Sequence, residues 1–230
     1  MTEPPRQLTL DWPHPPSFAR EDFLPAPSNR EALGAIDRWP AWPGRMLLLV
    51  GPEGAGKSHL AALWARTAGA AIVHGETFGE AGYQAFAQGS ALLIEDADRV
   101  GQAEERLFHL LNTALQTNAW VLLTARKEPA AWGLKIPDIL SRLRLAPVVR
   151  LDPPDVELTE AVLFKLFSDR QLRVEPHVVA YIAMRIERSL GAARRFVESL
   201  DREALARGRR VTRAMASELM REIVPDGEAP

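Results

Sequence analysis

One short glycine-rich segment, residues 51–58 (GPEGAGKS), limits the folds open to this chain more than any other feature. It matches the pattern G-x-x-x-x-G-K-[ST] at every fixed position. An apolar run, Met46–Val50, precedes it, and a segment with helical spacing follows from His59. Glycines let the backbone curl until successive N–H groups point at phosphate oxygens, and a helix N-terminus adds partial positive charge. The order strand, loop, helix therefore predicts a phosphate-binding loop.

The loop supplies two side chains with distinct roles. Lys57 is expected to reach the β- and γ-phosphates of a nucleotide, and the Ser58 hydroxyl is expected to bind Mg²⁺. The alternative, a glycine-rich turn that binds nothing, is disfavoured because a strand and a helix flank the loop. The predicted nucleotide contacts are Gly51, Gly54, Ala55, Gly56, Lys57, Ser58 and His59.

Further apolar runs without alternation predict the buried strands of a parallel sheet. After Met46–Val50, these runs are residues 71–74, 91–94, 120–124 and 148–151. Helical patterns lie at residues 29–39, 57–67, 83–88 and 104–117, and Asn29 is a candidate cap for the first of them. Alternating strands and helices predict an α/β fold with five parallel strands and helices on both faces.

The pattern changes after residues 153–154, a pair of prolines. Apolar residues then repeat at helical spacing over residues 159–167, 177–186, 192–206 and 213–223. At the other end of the chain, a proline-rich stretch lacks helical periodicity and predicts an extended tail. We therefore predict a tail (1–17), a base domain (18–153) and a small all-helical lid domain (154–226).

The bulk composition excludes several classes of protein. Hydrophobic residues make up 47% of the chain and charged residues 25%, so neither a disordered nor a fibrous chain is expected. A net charge of -2 argues against a general nucleic-acid-binding protein, although a local basic patch is compatible with it. The chain has no cysteine, which excludes disulfides and thiolate metal sites. Because no apolar run approaches ~20 residues and no signal-peptide core is present, a cytoplasmic protein without membrane contact is expected.

Two acids follow the predicted strand at residues 91–94. In a phosphate-loop enzyme one carboxylate at this place holds the metal, and the next polarises the attacking water. Glu95 is therefore the predicted Mg²⁺ ligand, and Asp96 is the residue predicted to polarise water. The alternative is a solvated strand end. Glu95 stands where an Asp normally holds Mg²⁺, and its longer side chain shifts the metal by about one C–C bond. Thr124 lies on the next strand and allows two interpretations. Its hydroxyl orients water or the γ-phosphate, or the residue is an ordinary β-branched strand residue without such a role.

Two arginines are candidates for contacts with phosphate outside the loop. Arg142 precedes the fifth predicted strand, where an arginine commonly lies at the edge of the base domain. Its forked, permanently charged guanidinium suits phosphate oxygens, which makes it a candidate arginine finger acting in trans; for this arginine taken alone, an ordinary surface salt bridge is the favoured interpretation. Arg194, in the third predicted lid helix, is placed to fold back onto bound phosphates. Arg195 competes for that role, and the alternative is a solvated helix face.

Taken together, these motifs resemble the AAA+ module of the DnaA family, and within it the short Hda-type regulatory inactivators of DnaA. The resemblance covers nearly the whole chain. It rests on Phe23 and on residues 28–29, 51–60, 93–97, 141–143, 151–155, 193–195 and 200–202. It implies the AAA+ fold, bound ADP or ATP with Mg²⁺, the arginine-finger role for Arg142 and the lid-arginine role for Arg194.

Two features favour the inactivators over the initiators of this family. The initiators continue past the lid into a DNA-binding helix-turn-helix domain, whereas only residues 225–230 follow the last predicted helix here. The segment at residues 7–12 (QLTLDW) also resembles the peptide by which such proteins dock on the replicative sliding clamp. The physical logic is a hydrogen-bonded glutamine amide beside apolar side chains that fill a pocket on the partner. The predicted partner-binding residues are Gln7, Leu8, Leu10 and Trp12, and the alternative is that Trp12 packs on the chain's own surface.

The resemblance implies a regulator of chromosomal replication initiation. Such a protein binds the DNA-loaded sliding clamp, meets DNA and the nucleoid only through it, and stimulates hydrolysis of ATP on DnaA by presenting Arg142. Its own ATPase activity is expected to be weak at most, given Glu95 and given Arg126 near where DnaA carries an Asp. A homo-oligomer is compatible with the resemblance. The alternatives are a DNA-acting AAA+ ATPase, such as a DnaC-like helicase loader or a transposition helper, and a scaffold that holds nucleotide only structurally.

Overall fold

The computed structural model describes residues 19–77 and 91–223. These residues form two compact units, one within Ser17–Pro153 and one that begins at Pro154. The predicted tail (1–17) and the predicted helix at residues 83–88 lie outside the described residues. None of the helices that the structure describes is long and apolar enough to cross a membrane.

The first unit is built on a five-stranded sheet in which every pairing is parallel. Its strands are β1 (Met46–Val50), β2 (Ala71–His74), β3 (Ala91–Glu95), β4 (Trp120–Ala125) and β5 (Val148–Arg150). They lie side by side in the order β2-β3-β4-β1-β5. Because parallel strands share a direction, their carboxyl ends meet at one edge of the sheet, which is where ligands bind in open α/β sheets.

The α-helices described in this unit cover both faces of the sheet. They are α1 (Arg30–Asp37), α2 (Lys57–Ala68), α3 (Glu104–Thr117) and α4 (Pro137–Leu143). Successive side chains of β1 point to opposite faces, so Leu47 and Leu49 share one core with Trp64 of α2. Leu48 shares the other core with Leu107 of α3. The predicted α/β fold, with five parallel strands between layers of helices, is confirmed.

Helix α4 is absent from the sequence prediction. It has seven residues, of which only Ile139 and Leu143 are buried, too few to give a helical period that can be read from sequence. Pro137 opens the helix, at a position where the missing N–H of proline leaves no hydrogen bond unmade.

The interpretation of Asn29 as a helix cap is wrong in detail. The residue does precede α1, but its side chain accepts no hydrogen bond from the helix. Its Oδ1 instead accepts from the Ala26 N–H at 2.8 Å, and its Nδ2 donates to the Leu24 carbonyl at 3.0 Å. Asn29 is therefore buried as the closing residue of the loop that enters the helix.

In the described residues of the second unit, every regular element is a helix. Its helices are α5 (Val156–Asp169), α6 (Pro176–Ala183), α7 (Leu190–Arg207) and α8 (Arg213–Ile223). Side-chain oxygens cap two of them, since Asp155 accepts from the Leu158 N–H at 2.7 Å and Ser189 accepts from the Ala192 N–H at 3.2 Å. The apolar face of each helix turns inward around a core that includes Leu163, Phe167, Val179, Ile182, Phe196 and Leu200.

Candidate phosphate-binding site

The glycine-rich segment forms the turn between β1 and α2 at the carboxyl edge of the sheet. Gly54 and Gly56 have φ angles of 74° and 101°, a region that glycine adopts with little strain. Helix α2 begins directly after Gly56. Gly51 lies so close to the residue after β5 that a Cβ on it would stand 2.4 Å from the Leu151 carbonyl oxygen, and Ala55 is buried in the core beside α2. The loop therefore ends at a helix N-terminus, as phosphate binding requires.

Lys57 lies inside the loop. The residue is 6% exposed, and its Nζ donates to the carbonyl oxygens of Gly51 at 2.7 Å and Pro52 at 2.8 Å. Burial lowers the pKa of Lys57 from its ordinary value, Arg126 adds to that lowering, and nearby acids led by Asp96 oppose it. To contact a phosphate, the ammonium would exchange these carbonyl oxygens for charged ones, which are the stronger acceptors.

Ser58 and Glu95, the two predicted metal ligands, lie together. The Ser58 hydroxyl donates to Glu95 Oε2 at 3.3 Å, and Glu95 is 8% exposed. Burial raises the pKa of Glu95, while hydrogen bonds from Thr124 and Ser58 oppose the rise. Within residues 19–77 and 91–223, no group of three or more His, Asp or Glu side chains is arranged to hold a metal ion. A hydroxyl and one carboxylate would therefore hold Mg²⁺ only together with phosphate oxygens or water.

Thr124 connects the two acids. Its hydroxyl donates to Glu95 Oε2 at 2.6 Å and accepts from the Asp96 N–H at 2.9 Å, and the residue is fully buried. Both hydrogen-bonding functions of the hydroxyl are thus used on the acidic pair. Asp96 itself has φ 49° and ψ 48° at the start of a short turn and is partly exposed at the edge of the sheet.

Arg126 and Asp98 are the site residues that sequence reasoning did not assign. The Asp98 carboxylate accepts from the Arg126 N–H at 3.1 Å, and the Arg126 guanidinium pairs with Glu53 of the loop at 2.8 Å. The sequence offers one signal for them: Arg126 directly follows the strand that carries Thr124, and Asp98 comes shortly after the strand that ends at Glu95. Their pairing depends on which strands are neighbours, and that is visible only in the fold.

His59 faces the segment that leads into the first unit. Its Nε2 lies 3.1 Å from the Ala19 carbonyl oxygen, and its ring meets Phe23 edge to face with centroids 5.2 Å apart. His59, a predicted nucleotide contact, therefore lies beside Phe23.

Arg142 lies half-exposed on α4, beside α3. Its Nε donates to the Asn112 side chain, its Nη1 donates to the Asp138 carbonyl at 3.3 Å, and its Cζ lies 4.7 Å from the centre of the Phe108 ring. The guanidinium is therefore held at the surface rather than within the core. Arg144, two residues further on, is exposed.

The remaining predicted contacts lie in the second unit or outside the described residues. Arg194 on α7 is half-buried and Arg195 is exposed, so both are polar residues on the outer part of an amphipathic helix. The predicted partner-binding residues Gln7, Leu8, Leu10 and Trp12 lie outside the described residues.

Several solved structures share this fold. Domain III of the replication initiation protein DnaA from Thermotoga maritima gives a TM-score of 0.80 at 20% identity, covering 93% of this chain and 100% of that one. A replication initiator DnaA bound to AMPPCP and single-stranded DNA gives 0.66 at 16% identity, covering 88% and 68%. The RuvB Holliday junction branch migration motor of Thermotoga maritima gives 0.60 at 19% identity, covering 77% and 61%. No protein-family model matches the chain.

The TM-scores establish a shared fold, and at these sequence identities they establish no more than that. The chain shares the fold of DnaA domain III, a five-stranded parallel sheet in one unit and an all-helical second unit. Its candidate site is a glycine loop at a helix N-terminus, a buried lysine, and a hydroxyl–carboxylate pair at the ends of neighbouring elements.

Proposed function

We propose that this chain binds an adenine nucleotide, ADP or ATP, together with Mg²⁺ at residues 51–58. The observation that carries the proposal is the pairing of the Ser58 hydroxyl with the Glu95 carboxylate, 3.3 Å apart, beside a loop that also contains the buried Lys57. Hydroxyl and carboxylate oxygens are ligands for Mg²⁺, and the ammonium supplies charge for the phosphates. The shared fold with a DnaA bound to AMPPCP supports an adenine nucleotide as the ligand.

The proposed role of the nucleotide-bound chain is to regulate chromosomal replication initiation by promoting ATP hydrolysis on DnaA. The fold likeness to domain III of DnaA supports this role, because similar modules can associate head to tail through unlike surfaces. Arg142 supports it as well. Asn112 and Phe108 hold its guanidinium at the surface, from where it can stabilise the charge on a phosphoryl group transferred in a neighbouring protein.

The chain's own hydrolysis is proposed to be weak. Glu95 takes the place of the usual metal-binding Asp, and burial raises the pKa of its carboxyl, which disfavours the charged form that binds Mg²⁺. The clamp-docking role of residues 7–12 rests on the sequence, and it brings the protein to DNA through the clamp.

Arg142→Ala tests the regulatory role, with Arg144→Ala as a matched control from the same segment. We expect the wild-type chain with ADP and clamp-loaded DNA to accelerate hydrolysis of DnaA-bound ATP, measured as phosphate release in single turnover. Arg142→Ala should remove that acceleration, an effect on the order of 10³-fold where a trans arginine is the main source of charge stabilisation. Arg144→Ala should retain it.

Other outcomes assign other functions. Unchanged acceleration with Arg142→Ala contradicts the finger assignment, and loss confined to Arg144→Ala moves the role to Arg144. The chain is a DNA-acting ATPase if three results occur together: it hydrolyses ATP itself, single-stranded DNA raises the rate of that hydrolysis, and hydrolysis by DnaA is unaffected. Nucleotide binding without an effect on hydrolysis by either protein identifies a scaffold.

A further inference from the structure

A strongly basic stretch joins α7 to α8 in the second unit. Residues 204–217 include four arginines and neither Asp nor Glu, although the whole chain has a net charge of -2. The first of these arginines is ion-paired with acids of both helices. No Asp or Glu in the described part of the chain is ion-paired with the other three, which are exposed: Arg209, Arg210 and Arg213.

A fourth exposed arginine reaches this stretch from α6. Tyr181 lies on α6, and the guanidinium carbons of Arg185 and Arg213 lie 4.1 Å and 4.5 Å from the centre of its ring. A hydrogen bond with the Ser217 side chain lowers the pKa of Tyr181, burial opposes that change, and the charges of Arg185 and Arg213 add to it. Tyr181 therefore brings together two positive charges that are far apart in the sequence.

The positive charge at this place is not compensated within the described residues. Two guanidiniums beside one ring repel each other. Arg213 is also the first residue of α8, where the helix dipole disfavours a cation, and no acid lies in the first turn of that helix. An anion bound here would relieve both unfavourable interactions.

The number of charges favours a polyanion over a single small anion. Four residues of chain span at most about 14 Å, so the backbones of Arg209 and Arg210 lie within that distance of Arg213. We call Arg185, Arg209, Arg210 and Arg213 the arginine patch. Several phosphates of one ligand can contact such a patch at once, whereas an isolated phosphate meets only one or two of its guanidiniums.

The side chains of the arginine patch suit phosphate oxygens in particular. Each is a guanidinium, whose fork binds two oxygens of a phosphate, and residues 184–223 contain no lysine. The aromatic ring within the patch, that of Tyr181, is already engaged by two guanidiniums. It therefore offers no platform on which the unpaired bases of a single strand could stack. Contacts with the backbone alone are sufficient for duplex DNA, whose bases stay paired.

We propose that the arginine patch binds the phosphate backbone of duplex DNA without regard to base sequence. The inference goes beyond the proposed function and does not depend on the nucleotide site. The patch is local, so it is compatible with the acidic balance of the whole chain, and it gives the second unit a direct contact with DNA.

The test measures binding of a fluorescent duplex of about 20 base pairs to the full chain by anisotropy, over a series of NaCl concentrations. For the wild type, the logarithm of the association constant should fall linearly with the logarithm of salt concentration, with a slope of about -3 to -4 for four phosphate contacts. The double variant Arg185→Gln/Arg213→Gln should weaken binding at low salt at least ~10-fold and reduce the slope by about 2.

Two further variants separate local from general effects of charge. The double variant Arg185→Lys/Arg213→Lys keeps both charges, so it should retain most of the salt dependence. Arg173→Gln removes an exposed arginine beyond the opposite end of α6, and it should change neither affinity nor slope. The midpoint of thermal unfolding, measured for each variant, should stay at the wild-type value.

Several results would overturn the inference. These are a wild-type chain that does not bind the duplex at low salt, and an Arg173→Gln variant that loses as much affinity as Arg185→Gln/Arg213→Gln. Tighter binding of a single strand of the same length also contradicts it, as does displacement of the duplex by poly-glutamate as effective as by unlabelled duplex, which indicates an acidic protein partner. Failure of the wild type to bind ADP or ATP rejects the proposed function and leaves the arginine patch untouched.

Discussion

At the scale of single residues, the buried carboxyl of Glu95 links the stability of the fold to the proposed binding of Mg²⁺. Burial raises its pKa, and the hydrogen bonds from Thr124 and Ser58 offset only part of the rise. A raised pKa in the folded state means that folding favours the protonated carboxyl. The stabilisation it contributes is therefore complete below the pKa of an unfolded glutamate and is lost as the pH rises through the folded-state pKa. Bound Mg²⁺ would reverse this preference, because it binds the charged form of a carboxyl.

Replacing Glu95 with Gln should therefore stabilise the nucleotide-free protein at neutral pH. We expect a gain on the order of 1 kcal/mol in the free energy of unfolding, since the amide is neutral at every pH and removes the cost of burying an ionisable carboxyl. The gain should vanish at acid pH, where both side chains are neutral, and nucleotide binding by Glu95→Gln should lose its dependence on Mg²⁺. Urea unfolding across this pH range measures the difference, with the exposed Glu187→Gln as control. A difference that is independent of pH, or a less stable variant at neutral pH, contradicts the argument.

At the scale of elements, the β1–α2 loop packs closely against the end of β5 because Gly51 has no side chain. Gly51→Ala would place a Cβ 2.4 Å from the Leu151 carbonyl oxygen, so backbone must move. We expect a loss of about 2 kcal/mol or more in the free energy of unfolding, together with weaker nucleotide binding.

The matched control is Gly34→Ala in α1. Its Cβ would meet only the flexible end of Arg38, at 3.6 Å, so we expect a gain of about 0.5–1 kcal/mol from helix propensity. Denaturant titration of both variants provides the measurement. If Gly51→Ala proves as stable as the wild type, the packing of the loop against the end of β5 is looser than the structure places it.

A strand or helix could be predicted from the sequence where its own segment carries a clear apolar pattern. Contacts between different strands and helices could not be predicted in this way. The runs at β1 and β2 give those strands with the observed bounds, and the pattern at α3 gives that helix. The roles of Thr124 and Arg126 depend instead on β4 lying between β3 and β1. Periodicity along the chain carries no information about the order of strands in the sheet. The sequence therefore does not decide between the two roles considered for Thr124, and it does not predict the ion pair of Arg126 with Glu53.

At the scale of the whole molecule, the proposed function places nucleotide binding and clamp binding in separate parts of the chain. The proposed nucleotide site lies in the first unit, and the proposed clamp contact lies at residues 7–12, outside the described residues. A substitution in one part should therefore affect the function of that part and leave the function of the other unchanged. A change in the tail should therefore alter clamp binding without altering the folded units, unless the tail packs against them.

Replacing Gln7 and Leu10 together with Ala tests that separation. We expect clamp affinity to fall at least ~10-fold, because the hydrogen-bonded amide and one apolar anchor are both lost. ADP affinity and the midpoint of thermal unfolding should stay at their wild-type values, and stimulation of DnaA hydrolysis should lose its dependence on clamp-loaded DNA. Surface plasmon resonance on immobilised clamp measures the first effect, with Thr9→Ala as the control within the same segment. Unchanged clamp affinity rejects the docking role, whereas a lowered unfolding midpoint, reproduced by Trp12→Ala, shows that the segment packs on the protein's own surface.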